Sequence, residues 1–140
     1  MRFCPFEPWH MQEVTPQSAQ APYMKWMSPD IAEAAAAHYA FTAIDDRGRI
    51  VGCGGIAPAD QYLVAWAVFS QLIEAHRFAI TRAVRQSLDL HRTCPVVAHI
   101  HPEHGKAARF AEALDFRFLE ARADLHPSGA LLHVYVREGV

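Results

Sequence analysis

From Tyr62 to Leu90 the chain passes from an almost wholly apolar run, YLVAWAVF, straight into a segment of helical period. That junction constrains the fold more than any other stretch. The run Tyr62–Phe69 predicts a central strand covered on both faces, as continuous apolar strands usually are. Beyond it Ile80, Val84 and Leu88 recur at helical spacing with Ala83 beside them, while Arg82, Arg85 and Gln86 point elsewhere, so a helix is expected from about Ala75 to Leu90.

The flanking segments supply partners for that strand. AFTAIDDRGRIVGCGGIAP reads as two β runs, Ala40 to Ile44 and Ile50 to Ile56, joined by the turn formers of Asp45-Asp46-Arg47-Gly48-Arg49. Gly52, Gly54 and Gly55 within the second run predict a bulge or a close backbone approach. After Pro95, VVAHI predicts a strand, HGKAARFAEAL a helix with Ala107, Phe110 and Leu114 on one stripe, FRFLEAR a strand, and LLHVYV a last strand reached through His126-Pro127-Ser128-Gly129. Upstream, Met1 to Phe6 is a short apolar opening, and Pro8 with Trp9 leads to a brief helix near His10 to Val14. Thr15 to Pro29 has neither period and reads as an irregular surface segment, after which Ser28 as N-cap and Pro29 at the first helical position open an Ala-rich helix. This order predicts one α/β (α+β) domain over 1–140. Residues 1–39 form an irregular and helical N-terminal part, and 40–136 a mixed sheet flanked by helices.

Composition excludes several function classes. Thirteen basic against fifteen acidic residues give a formal net charge of -2, which supplies no overall field to draw nucleic acid or an anionic membrane. The chain lacks the run of about 20 apolar residues that crosses a bilayer, and its opening lacks the apolar core of a secretory signal. A cytoplasmic location follows. Cys4, Cys53 and Cys94 are odd in number and contain no CxxC pair, so buried, reduced thiols are expected. Trp9, Trp26 and Trp66, with Phe3, Phe6 and Tyr23, are expected to pack as core or lid over the sheet, with a partner surface as the other use of such residues.

The order of elements resembles the GNAT acetyltransferase superfamily from about Ala40 to Val136. The most specific piece is VVAHIHPEHGKAARFAEALDFRFLE, similar to that superfamily's late strand, N-x-x-A helix and Leu-Gly-Phe turn. More narrowly, AWAVFS, AITRAVRQSLD and SGALLHVYVRE resemble the small GNAT-fold proteins of tailed phages and prophages, including the internal virion protein A family of podophages. The resemblance implies a mostly antiparallel central sheet with a splayed central strand pair, Tyr62–Phe69 beside Val96–His101.

The resemblance also implies a cofactor loop, of the form Q/R-x-x-G-x-G/A, where bare N–H groups at a helix N-terminus meet the pyrophosphate of acetyl-CoA. The matching positions are Gln71, Leu72, Ile73, Glu74, Ala75 and His76, followed by Arg77. Glu74 replaces the first glycine with a carboxylate, and His76 adds bulk at the second small position. Like charges about 4 Å apart cost on the order of 1 kcal/mol in water and several at lower dielectric. In its ordinary role Glu74 simply favours a helix start, by about 0.3–1 kcal/mol. Arg77 and Arg82 could still draw a phosphate from other directions. The tyrosine that protonates the leaving thiolate is replaced by Ala111, the orienting Asn by His104, and the glycine of the late turn by Asp115; Tyr135 or Tyr62 could supply a hydroxyl from a strand.

HIHPEH places His99 and His101 on one strand face with Glu103 and His104 just beyond. The spacing is superficially that of the HxHxDH zinc site of metallo-β-lactamase-fold hydrolases, but only His126 and His133 follow downstream, short of a complete ligand set. No metal and no catalytic residue are therefore expected. The leading expectation is a phage- or prophage-encoded GNAT-fold protein without acetyl transfer. It would act in virion assembly or as a virion component, in the host cytoplasm or the virion, with other virion proteins as partners and self-association open. A divergent N-acetyltransferase using acetyl-CoA is the alternative, and a zinc-dependent hydrolase a weaker one.

Overall fold

The structure is a computed structural model that describes residues 1–17, 20–21, 29–59 and 61–139, with 29–31 in backbone only. Tyr23, Trp26, Met27 and the expected N-cap Ser28 lie outside the described residues. The elements are β1 (Arg2–Pro5), α1 (His10–Glu13), α2 (Pro29–Ala36), β2 (Tyr39–Ile44), β3 (Ile50–Pro58), β4 (Leu63–Phe69), α3 (Arg77–Leu90), β5 (Val96–Ile100), α4 (Gly105–Ala113), β6 (Arg117–Arg122) and β7 (Leu132–Arg137). The strand order is β1-β2-β3-β4-β5-β7-β6. The chain divides into two compact units, Met1–Ala57 with Ala65–Ile80, and Pro58–Val64 with Thr81–Val140.

In the first unit β2 and β3 form the predicted hairpin, antiparallel from Tyr39↔Ile56 to Ile44↔Ile50. Its turn is closed by Asp45, whose carboxylate accepts from the Arg47 amide at 3.0 Å, the Arg49 amide at 2.8 Å and Arg49 Nε at 2.8 Å. The Arg49 amide leads the causes that hold this carboxyl below its usual range. Gly48 takes the left-handed conformation the turn requires, with φ 79°. The glycines of β3 mark a close approach. A Cβ on Gly54 would stand 2.8 Å from the Trp66 carbonyl oxygen, and one on Gly55 2.4 Å from that of Tyr39.

The opening residues, expected only as a short apolar stretch, form an edge strand. β1 pairs antiparallel with β2 from Arg2↔Ile44 to Pro5↔Phe41. Its sequence is too short, and ends in a proline, to declare a strand by itself; the partner imposes it. β1 delivers Phe6 into a core with Met11, Val14, Ala40, Cys53 and Val68. Burying such a side chain stabilises by about 1.5–3 kcal/mol. The next corner is tied by His10, 2% exposed, whose Nδ1 accepts from the Glu7 amide at 3.0 Å and lies 2.8 Å from Thr42 Oγ1.

In the second unit β7 is flanked by β5, from Val96↔Arg137 to Ile100↔His133, and by β6, both antiparallel. Leu88, Val96, Leu114, Phe116, Val134, Tyr135 and Val136 are buried. The start of β4 also belongs here, with the Leu63 amide donating to the Pro95 carbonyl at 2.9 Å. α4 ends in a Schellman turn: the Asp115 amide bonds to Glu112 O at 3.1 Å and the Phe116 amide to Ala111 O at 3.0 Å, with Asp115 at φ 70°.

Several expectations need correction. β4 is half-buried along most of its length, with Val68 alone fully buried, so it is not covered on both faces. α3 starts at Arg77, two residues later than predicted, because a 3₁₀ turn over Gln71–Ala75 precedes it. Within the expected surface segment Gln17 is buried. Of the thiols only Cys53 is buried, where desolvation pushes its pKa up to about 12; Cys4 is half-buried and Cys94 exposed. Trp66 packs against the core, yet Trp9 and Phe3 are exposed.

Candidate functional site

The β4–α3 connection, where the sequence places a cofactor loop, is built on Ser70. This serine is 4% exposed and held from both ends. Its amide donates to Val51 O at 2.9 Å and its hydroxyl donates to the same oxygen at 2.9 Å, while Oγ accepts from the Leu72 amide at 3.2 Å. The last contact is an N-cap, and it starts the 3₁₀ turn Gln71–Ala75. Ile73 is its buried anchor, and its amide donates to Ser70 O at 3.3 Å. His76 closes it, donating from its amide to Ile73 O at 2.9 Å, and α3 follows with Ile80 N to His76 O at 3.0 Å.

All seven predicted loop residues are thus contiguous, but three of their amides are not bare. Those of Leu72, Ile73 and His76 are committed to the chain's own oxygens. Gln71, Glu74, Ala75 and Arg77 are exposed; Leu72 and His76 are half-buried. The Arg77 guanidinium carbon lies 5.2 Å from the centroid of the exposed Phe78 ring. Arg82 is exposed further along α3.

The edge of β4 that faces away from β3 is also occupied over its second half. Val68 O and Trp66 O point toward Gly52 and Gly54 of β3, so the odd-numbered residues turn their backbone the other way. There Phe69 O accepts from the Gln17 amide at 3.0 Å and Ala67 O from Gln20 Nε2 at 2.6 Å. An extended ligand adding to that edge by main-chain hydrogen bonds would have to displace both glutamines.

The remaining candidates are not assembled around one reacting position. Ala111 is buried and carries no ionisable hydroxyl. Tyr135 is 7% exposed with its ring 5.9 Å from that of Phe118, whereas Tyr62 is 39% exposed. His104 begins α4 without capping it by its side chain, and desolvation, then His101 and Lys106, lower its pKa. His99 is lowered by desolvation first and Arg122 second. His101 Nδ1 accepts from the Glu103 amide at 3.2 Å. Among the described residues no group of three or more His, Cys, Asp or Glu side chains is arranged to hold a metal ion. No helix among them is long and apolar enough to cross a membrane.

A cleft of about 370 Å³ in the second unit is lined by Asp89, Arg92, Asp115, Arg117, Arg137 and Glu138. Its cations are largely satisfied by the chain itself. Arg137 donates to Asp89 at 2.7 Å and to Leu114 O at 3.0 Å, and Arg117 pairs with Glu138.

Sequence reasoning missed Ser70, Gln17, Gln20 and His10. Ser70 had a legible signal, a serine directly ahead of a helical run. The others had none, because Gln17 and Gln20 meet carbonyls of β4 and His10 meets Thr42, all distant in sequence.

Solved structures similar to this chain include acetyltransferases. Ard1 from Thermoplasma volcanium superposes with a TM-score of 0.76 at 11% identity, over 99% of this chain and 97% of that one. An acetyltransferase (GNAT family) from Bacillus anthracis gives 0.68 at 15% identity over 96% and 92%. A chain of the NatC complex bound to Gag peptide and CoA gives 0.61 at 11% identity over 99% and 98%. No family profile and no curated protein matches the sequence. At these identities the likeness is one of fold: the chain has the GNAT fold, a mixed and mostly antiparallel sheet with helices.

Proposed function

We propose that this chain is a GNAT-fold protein that does not transfer acetyl groups and serves instead as a binding or assembly component. The observation that carries the reading is the Ser70-capped turn. A pyrophosphate loop works by aiming unpaired N–H groups at anionic oxygens, and here the amides of Leu72, Ile73 and His76 are spent internally while Glu74 adds a carboxylate. The buried Ala111, in the place of the proton-donating tyrosine, supports the same reading. The narrower assignment, a phage or prophage protein acting with other virion or assembly proteins in the host cytoplasm or the virion, rests on AWAVFS, AITRAVRQSLD and SGALLHVYVRE.

Calorimetric titration with acetyl-CoA tests it. The unmodified chain is expected to show no binding up to millimolar ligand, where a dissociation constant of 1 mM corresponds to about -4 kcal/mol. Glu74→Gly with His76→Gly removes charge and bulk and is expected to admit weak binding. Tight binding by the unmodified chain, with turnover toward any amine, would overturn the proposal in favour of the second reading, a divergent N-acetyltransferase. That reading is favoured by the acetyltransferase neighbours, one of them from a complex bound to CoA.

A further inference from the structure

β6 is the last strand in the sheet order, and all six of its residues are exposed, including Phe118 and Leu119 at 51% each. Among the described residues it has β7 on one side and no strand on the other. Open edges are commonly guarded by like charges that repel a second copy. β6 instead carries charges of both signs in an order, Arg117-Phe118-Leu119-Glu120, that is its own complement when reversed.

A two-fold axis relating antiparallel neighbour strands stands perpendicular to the sheet, so it can oppose only residues of the same face. In a regular strand Arg117 and Glu120 lie on opposite faces. The bulge in β6 changes this. Arg117 pairs with Val136 and Glu120 with Val134, two apart on β7, so both charged residues share one face. Phe118 and Ala121, opposite Tyr135 and His133, share the other, where the Phe118 ring lies 5.0 Å from that of His133.

We propose that β6 is the contact strand of a homodimer, in which two copies run antiparallel with Arg117 opposite Glu120. A slip of two residues would oppose Arg117 to Arg122, so the charges select the register. The pairs made within one chain, Arg117–Glu138, Arg122–Asp124 and Arg122–Glu120, are solvent-exposed and therefore exchange at little cost.

Sedimentation equilibrium of the full chain tests the proposal, with loading up to about 1 mM because a single short strand is a small interface. A monomer–dimer equilibrium is expected. Arg117→Glu alone and Glu120→Arg alone each oppose like charges twice and are expected to weaken dimerisation about tenfold. Combining them restores opposite charges and is expected to return the constant to near its original value. A chain that stays monomeric, single reversals without effect, or a double reversal that fails to recover would each overturn it. Hydrogen exchange on the unmodified chain decides the matter should a variant fold poorly. Amides of β6 are expected to slow as concentration rises and those of β1, the other edge, to stay constant; concentration-dependent protection elsewhere and none in β6 would refute the contact.

Discussion

Two turns of this molecule carry an acid where the sequence resemblance to the GNAT pattern implies glycine, and they differ in backbone conformation. At Asp115 the backbone keeps the left-handed conformation, φ 70°, and the full Schellman turn. At Glu74 the backbone has gone over to a 3₁₀ turn. The side chains account for part of this, because Asp tolerates the left-handed region far better than a longer residue does. Packing accounts for more. Leu114 and Phe116, 2% and 5% exposed, flank Asp115 and fix the path of the chain, whereas around Glu74 only Ser70 and Ile73 are buried and Gln71, Ala75 and Arg77 face water. A turn whose flanks are in the core keeps its geometry; a turn held by one anchor and a serine cap adopts what its residues prefer.

The largest test of that contrast is Phe116→Ala. If packing holds Asp115 in place, denaturant unfolding should show a loss of about 3–5 kcal/mol, and a loss below about 1 kcal/mol would break the comparison. Ser70→Ala removes the cap and the hydroxyl bonded to Val51 O. About 1–2 kcal/mol is expected by the same measurement, and a neutral result would mean that the 3₁₀ turn does not depend on its cap. The smallest effects are the most diagnostic, because one substitution should have opposite signs at the two turns. Asp115→Gly relieves the left-handed strain and is expected to stabilise by about 0.5–1 kcal/mol. Glu74→Gly, which only loosens a turn already formed at negative φ, is expected to destabilise by about 0.5 kcal/mol. Equal signs would show that the two turns are constrained alike.

The sequence declared what depends on local period and turn chemistry. The Asp45–Arg49 turn, the Ile80, Val84, Leu88 stripe of α3 and the last two strands are all legible from residues next to one another. It could not declare β1, which is a strand because β2 offers it an edge, or the coverage of β4, because an apolar run does not say what lies on it. Residues Gln71–Arg77 connect β4 to α3, yet their conformation was not legible: whether an amide is bare depends on Ser70 and Val51, nineteen residues apart. Gln17 and Gln20, docked on β4 from 52 and 47 residues away in the chain, carry no local signature at all.

The corner at His10 has a consequence for acid. Because the Glu7 amide donates to Nδ1, that nitrogen must be the acceptor, and the ring is neutral with its proton on Nε2. A second proton on Nδ1 would set two donors against each other in a place that water does not reach. Desolvation accordingly lowers this histidine below its ordinary value of 6.5, with Glu7 opposing in part. The unfolded chain therefore takes up the proton first as pH falls through the ordinary histidine range, and the stability this neutral ring contributes is complete above that range and drains away below it. Acidification would accordingly loosen the junction of β1, α1 and Thr42 of β2.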